Sequence, residues 1–107
     1  MRILLDECAP RPLLAEFSQH HIRTAPDLGW SGKKNGALMA LMAAAGYTVL
    51  LTLDQNLRFQ QNLQGTSIAV IVMVAPTNRL ADLLPLVPKV ETALQTIQPG
   101  ELVEVSA

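Results

Sequence analysis

Thr48-Val49-Leu50-Leu51-Thr52-Leu53-Asp54 is the stretch on which the fold turns. From Thr48 to Thr52 it is apolar or β-branched, with no alternation of polar and apolar positions. A strand with one face in water alternates, whereas a strand covered on both faces does not, and the second habit belongs to parallel sheets between helical layers. The run then meets an acid, Asp54. A buried strand that ends on a carboxylate is the unit from which the rest can be read.

Outward towards the N-terminus, Ala37 to Ala45 is apolar nearly all round and reads as a helix. Gly46 sits where a helix wants a left-handed C-terminal residue. Before it, Ala25 to Gly36 is a loop rich in Gly, Pro, Ser and Lys. His21 to Thr24 reads as a short strand. Pro10 and Pro12 suit the opening of a helix, where a missing N–H costs little, and Leu13, Leu14 and Phe17 give it an apolar face ending near His20. Ile3 to Leu5 is a first strand, closed by Asp6 and Glu7.

Outward towards the C-terminus, Asp54 opens a short helix through about Leu63, and Ser67 to Val74 is another buried strand. Asn78 is placed to cap a final helical region in which Leu80, Leu83, Leu84, Val87, Val90 and Leu94 keep helical spacing. Pro85 and Pro88 kink or split that region. Pro99-Gly100 turns the chain into a last strand, Leu102 to Val105. The alternation predicts an α/β fold, a three-layer sandwich with a mainly parallel sheet, and the 107 residues fit one domain.

Composition narrows the function classes. Half the residues are hydrophobic and only 4% aromatic, so the core is aliphatic. A net charge of −1 argues against gripping nucleic acid through a large basic surface, though not against a local basic rim. Cys8 is the only cysteine, which rules out an intrachain disulfide and a Cys-rich zinc site. The N-terminal run meets Asp6 too early for a signal peptide, and no apolar run approaches the ~20 residues of a membrane span. The expectation is a cytoplasmic chain without membrane contact.

In open parallel sheets ligands bind beyond the carboxyl ends of the strands, where the strand order reverses. Asp6 follows the first strand and Asp54 lies two residues beyond the third. If those strands are neighbours, roughly 4.8 Å apart, the carboxylates repel and a hard cation relieves the repulsion. Mg²⁺ suits such a site, taking one or two carboxylates with waters and substrate phosphate oxygens. Each acid also has a structural reading. Asp54 is a good N-cap, and Asp6 or Glu7 can bind backbone in the turn before Pro10.

Leu4-Leu5-Asp6-Glu7, the strand after His20-His21, Asp27-Leu28-Gly29 and Val49-Leu50-Leu51-Thr52-Leu53-Asp54 together resemble the small PIN-like domains. These are relatives of the PIN-domain ribonucleases that act as toxins in bacterial toxin–antitoxin pairs. The resemblance covers nearly the whole chain, including the Pro-Gly-Glu-Leu-Val ending, and implies acids binding Mg²⁺ or Mn²⁺ and cleavage of RNA. Asp6 and Asp54 match the family's acids. Where the family carries a further acid before the second helix, this chain has Asn35, and after the Thr-x-Asp motif it has Asn56 and Leu57. An amide can ligate through oxygen but brings no charge.

The resulting expectation is a metal-dependent ribonuclease, the toxin of a toxin–antitoxin pair, with Asp6 and Asp54 as metal ligands. Glu7 is a further carboxylate, Asn35 and Asn56 position water, metal or substrate, and a small antitoxin protein is the partner. Arg11, Lys33, Lys34 and Arg58 are candidates for holding RNA phosphates, or are solvated cations on loops. Trp30 stacks on a base, or covers the edge of the core or a subunit interface. The apolar helix around Leu38, Met39, Leu41 and Met42 and the apolar last helix predict a homodimer or a complex. The alternative is a PIN-like binding module without catalysis, acting through a partner protein. A receiver-like phosphoacceptor domain fits less well, lacking the lysine such domains use near a late strand.

Overall fold

In the computed structural model, which describes residues 1–33, 35–56, 63 and 66–107, strand β3 (Val49–Thr52) is buried along its whole length. It lies between β1 (Arg2–Leu5) and β4 (Ala69–Val74). β2 (His21–Thr24) and β5 (Leu102–Ser106) form the two edges. The order is β2-β1-β3-β4-β5 and every neighbouring pair is parallel. The expected α/β class and parallel sheet are therefore present.

Each strand sends alternate residues to opposite faces. Ile3, Leu5, Ile22, Val49, Leu51 and Ile71 meet Leu13, Phe17, Leu83, Leu86, Val90 and Leu94 on one side. On the other, Leu4, Leu50, Val70 and Val72 meet Leu38, Met39, Met42 and Tyr47. With both faces covered, truncating a central residue such as Leu50 to Ala costs about 2–5 kcal/mol.

Helix α1 (Asn35–Ala45) ends as its glycine requires. Gly46 has φ +82°, its N–H donates to Ala43 O and the Tyr47 N–H donates to Met42 O. That pair of bonds is a Schellman stop, and it delivers the chain straight into β3.

The helix expected after Pro10 is present as a 3₁₀ helix (Arg11–Phe17). Its bonds span three residues, as from Leu13 N–H to Pro10 O at 3.0 Å, and it buries Leu13 and Phe17. One expectation is corrected: Asn78 does not cap the late helices. Helix α2 (Leu80–Leu83) starts after Arg79, and it is the Thr77 hydroxyl that accepts the Arg79 N–H and bonds Asp82. Pro85 and Pro88 do split this region: α2 passes through a 3₁₀ turn (Leu84–Leu86) into α3 (Val87–Thr96). The helix expected between Asp54 and Leu63 lies outside the described residues.

Of the residues behind the homodimer expectation, Leu41 is half-buried. Leu38, Met39 and Met42 face inward, and the exposed large hydrophobic residues among those described are Met1 and Leu84. No helix among the described residues is long and apolar enough to cross a membrane.

A candidate site at the carboxyl edge of the sheet

The chain steps from β1 outward to β2, then returns across β1 to β3. That reversal puts the topological switch point between β1 and β3, at their carboxyl ends. The Asp6 N–H continues the β1–β3 ladder, donating to Leu51 O at 2.9 Å. Asp6 therefore stands at the switch point by backbone register.

Thr52 is the hub. It closes β3, is fully buried, and is one of two buried polar residues among those described, the other being Thr24. Its hydroxyl donates to Asp6 Oδ2 at 2.7 Å and accepts the Asp54 N–H at 3.1 Å. One oxygen thus ties the acid after β1 to the loop carrying the acid after β3. Asp54 Oδ1 in turn accepts the Asn56 N–H at 3.0 Å, a turn-stabilising bond of the capping kind. Asp6 Oδ1 accepts the Glu7 N–H at 2.8 Å. Both acids are half-buried, and no Lys or Arg pairs with either among the described residues.

Cys8 completes the cluster. Its sulfur lies 3.7 Å from Asp6 Oδ2 and 3.6 Å from Thr52 Oγ1. The residue as a whole is exposed, but the sulfur is tucked against its neighbours. That local burial pushes the thiol above its ordinary pKa, and the Asp6 charge pushes the same way.

Other expected members are elsewhere. Glu7 turns away, and both its oxygens accept the Gly32 N–H, at 3.1 and 3.2 Å. It fastens the loop and is no third carboxylate of the cluster. Arg11 is not free for phosphate: it pairs with Asp27 at 3.0 Å and holds that carboxyl below its usual range. Lys33 is exposed without an ion pair among the described residues. Asn35 opens α1, and Asn56 is exposed beside Asp54, contributing its backbone N–H. Lys34 and Arg58 lie outside the described residues. Trp30 covers the core edge, with its ring edge-on to buried Tyr47 at 6.0 Å.

The donors suit one kind of cation. Among the described residues no three His, Cys, Asp or Glu side chains gather as a cage. Asp6 and Asp54 each keep lone pairs beyond their hydrogen bonds, which fits a cation retaining most of its waters, the habit of Mg²⁺. A cavity of about 220 Å³ is lined by Leu53 and Gln55, the chain neighbours of Asp54, with Met73, Ala75, Thr77 and Asn78, and by neither acid. A larger one of about 380 Å³, between α1 and Thr66–Ile68, holds no acid and lies apart from this chemistry.

Thr52 and Cys8 are the members that sequence reading missed. Thr52 carried a signal: a hydroxyl ending an otherwise apolar strand needs a partner. Set against family models, curated proteins and solved structures, the chain finds no match in any of the three comparisons.

Proposed function

We propose that this chain is a PIN-like ribonuclease dependent on Mg²⁺ or Mn²⁺, with Asp6 and Asp54 as the cation's protein ligands. The observation that supports the reading is the Thr52 hydroxyl, which bonds the Asp6 carboxylate and the backbone N–H of Asp54 at the β1/β3 switch point, with no Lys or Arg paired to either acid among the described residues. Thr52 fixes the Asp6 carboxylate by donating to one oxygen, while the Glu7 N–H fixes the other. The Asn56 N–H orients Asp54. When bound, the metal supplies charge neutralisation at a phosphate and a water acidified enough to attack it. The toxin role, with a small antitoxin protein as partner, belongs to the same reading.

A binding module without catalysis is the second reading, favoured by Glu7. With that carboxylate committed to Gly32, the cluster keeps two acids, and metal affinity falls with each one missing.

Cleavage of a broad RNA panel with Mg²⁺ or Mn²⁺, and its arrest by EDTA, separates the two. Asp54→Asn abolishes cleavage on the nuclease reading and keeps the turn bond to Asn56, because an amide oxygen still accepts it. Asn35→Asp adds a charge and raises activity. A chain that cleaves nothing, and gains neither metal affinity nor cleavage with Asn35→Asp, is the binding module.

A further inference from the structure

Away from the acids, the exposed outer flank of β1 and β2 gathers cations. Arg2 and His21 are register partners on adjacent strands, so their side chains leave the same face of the sheet. Arg23, two residues along β2, leaves that face too, because Ile22 and Thr24 between and beyond them point into the protein. Arg2, His21 and Arg23 are all exposed, and none forms an ion pair among the described residues. Asp27, whose carboxylate also feels the charge of Arg23, is paired with Arg11. The pKa of His21 is lowered, first by desolvation and then by the charges of Arg2 and Arg23, so its ring is a neutral hydrogen-bonding group between two guanidiniums.

An aromatic anchor lies under this patch. The buried Tyr47 ring has Arg2 Cζ 4.9 Å from its centroid, His21 at 5.9 Å and Trp30 at 6.0 Å, edge-on. Arg2 is thereby held in place. Trp30 is only half-buried, so part of its indole stays open to solvent.

We propose that this flank, Arg2, His21 and Arg23 with Trp30 beside them, is a track for single-stranded nucleic acid, the two guanidiniums holding phosphates, the His21 imidazole donating an N–H to a phosphate and the indole taking a base. His21 and Arg23 stand about 6.6 Å apart along the strand, a spacing comparable to that of consecutive phosphates on an extended strand. Arg2 adds a second row about 4.8 Å to the side. Unpaired cations that repel one another gain most from a polyanion, and a half-open indole among them favours a ligand with flat faces over an acidic peptide. The choice of nucleic acid rests on the ribonuclease reading, but the track needs neither metal nor catalysis.

The test is equilibrium binding of a fluorescein-labelled 12-nucleotide single-stranded RNA, by anisotropy over a salt series, in EDTA. The proposal expects binding that weakens with salt, quenching of Trp30 (the only Trp) and competition by unlabelled RNA but not by polyglutamate. Arg23→Gln lowers the slope of log K against log salt by about 0.7, and Arg2→Gln with Arg23→Gln by about 1.4. The double variant binds roughly ten-fold more weakly at low salt. Arg11→Gln, removing a cation already paired, leaves the slope unchanged. Arg2→Gln also loses the contact with Tyr47, so Arg23→Gln, which touches no aromatic ring, decides the matter alone if the double variant unfolds. No binding, or a slope indifferent to Arg23→Gln, overturns the proposal. Equal competition by polyglutamate overturns it in favour of an acidic protein partner. RNA that binds here but is never cut refutes the nuclease and leaves the track standing, while cleavage with no effect of Arg23→Gln does the reverse.

Discussion

Thr24 and Thr52 end strands on either side of β1, and each is a buried hydroxyl accepting an N–H from the loop that follows. Thr24 takes the Asp27 N–H at 3.0 Å and Thr52 takes the Asp54 N–H at 3.1 Å. The sequence pattern is nearly the same, a strand, a threonine and an aspartate two or three residues on. The difference lies in what surrounds the acids. Asp27 meets Arg11, and the pair sits in solvent with side chains 38% and 71% exposed. The Asp54 backbone is tied through Thr52 to a second acid, Asp6, and among the described residues no cation pairs with either. An acid neutralised by its own protein is complete as a structural element. Acids at the ends of neighbouring strands, unpaired among the described residues, can take a counter-charge from outside.

The comparison breaks most visibly at the threonines. Thr52→Val removes a hydroxyl from a fully buried position and leaves Asp6 Oδ2 and the Asp54 N–H each without that partner. It should cost about 2 kcal/mol, against about 1 kcal/mol for Thr24→Val, whose orphaned N–H belongs to an exposed loop residue. Urea unfolding of the two variants checks the order, and equal losses would remove Thr52 from its place as hub. A smaller effect is expected at Cys8. If the Asp6 charge helps to hold the thiol protonated, Asp6→Asn should speed alkylation of Cys8 by iodoacetamide at pH 8 a few-fold, while Asp27→Asn leaves it unchanged. Equal rates in all three proteins would mean that burial alone sets the thiol.

The smallest effect is on the paired side. The folded pKa of Asp27 is depressed, first by the hydrogen bond from Arg11, so its contribution to stability is present above the ordinary carboxylate range. It is lost as pH falls through the lower, folded value. Arg11→Gln should raise the Asp27 titration midpoint towards the ordinary value, read by NMR, and barely move the thermal midpoint, because exposed pairs contribute little. An unchanged midpoint would show that Arg11 is not the cause.

The layout of the sheet was legible because its signals are local. Val49 to Thr52 lacks alternation, Gly46 stops a helix, and Pro85 and Pro88 break one. That Asp6 and Asp54 end neighbouring strands was legible for the same reason, each following a buried run. What the residues did not disclose depends on contacts between distant parts of the chain. Thr52 becomes a hub only once β1 and β3 are in register, which brings it to Asp6, 46 positions away. Glu7 reads as a site carboxylate until the loop at Gly32 folds over it, and Arg11 reads as a phosphate ligand until Asp27 reaches it. The basic flank was hidden likewise, since Arg2 and His21 become neighbours only through strand pairing.

Titrating Mn²⁺ into the chain and counting the bound ion by electron paramagnetic resonance tests the central claim most directly, because it needs no substrate. The account predicts one Mn²⁺ per chain, displaced by Mg²⁺, lost in Asp6→Asn and in Asp54→Asn, and retained in Asp27→Asn. Mn²⁺ that stays bound when either Asp6 or Asp54 is neutralised, or that leaves as readily when Asp27 is, would contradict it.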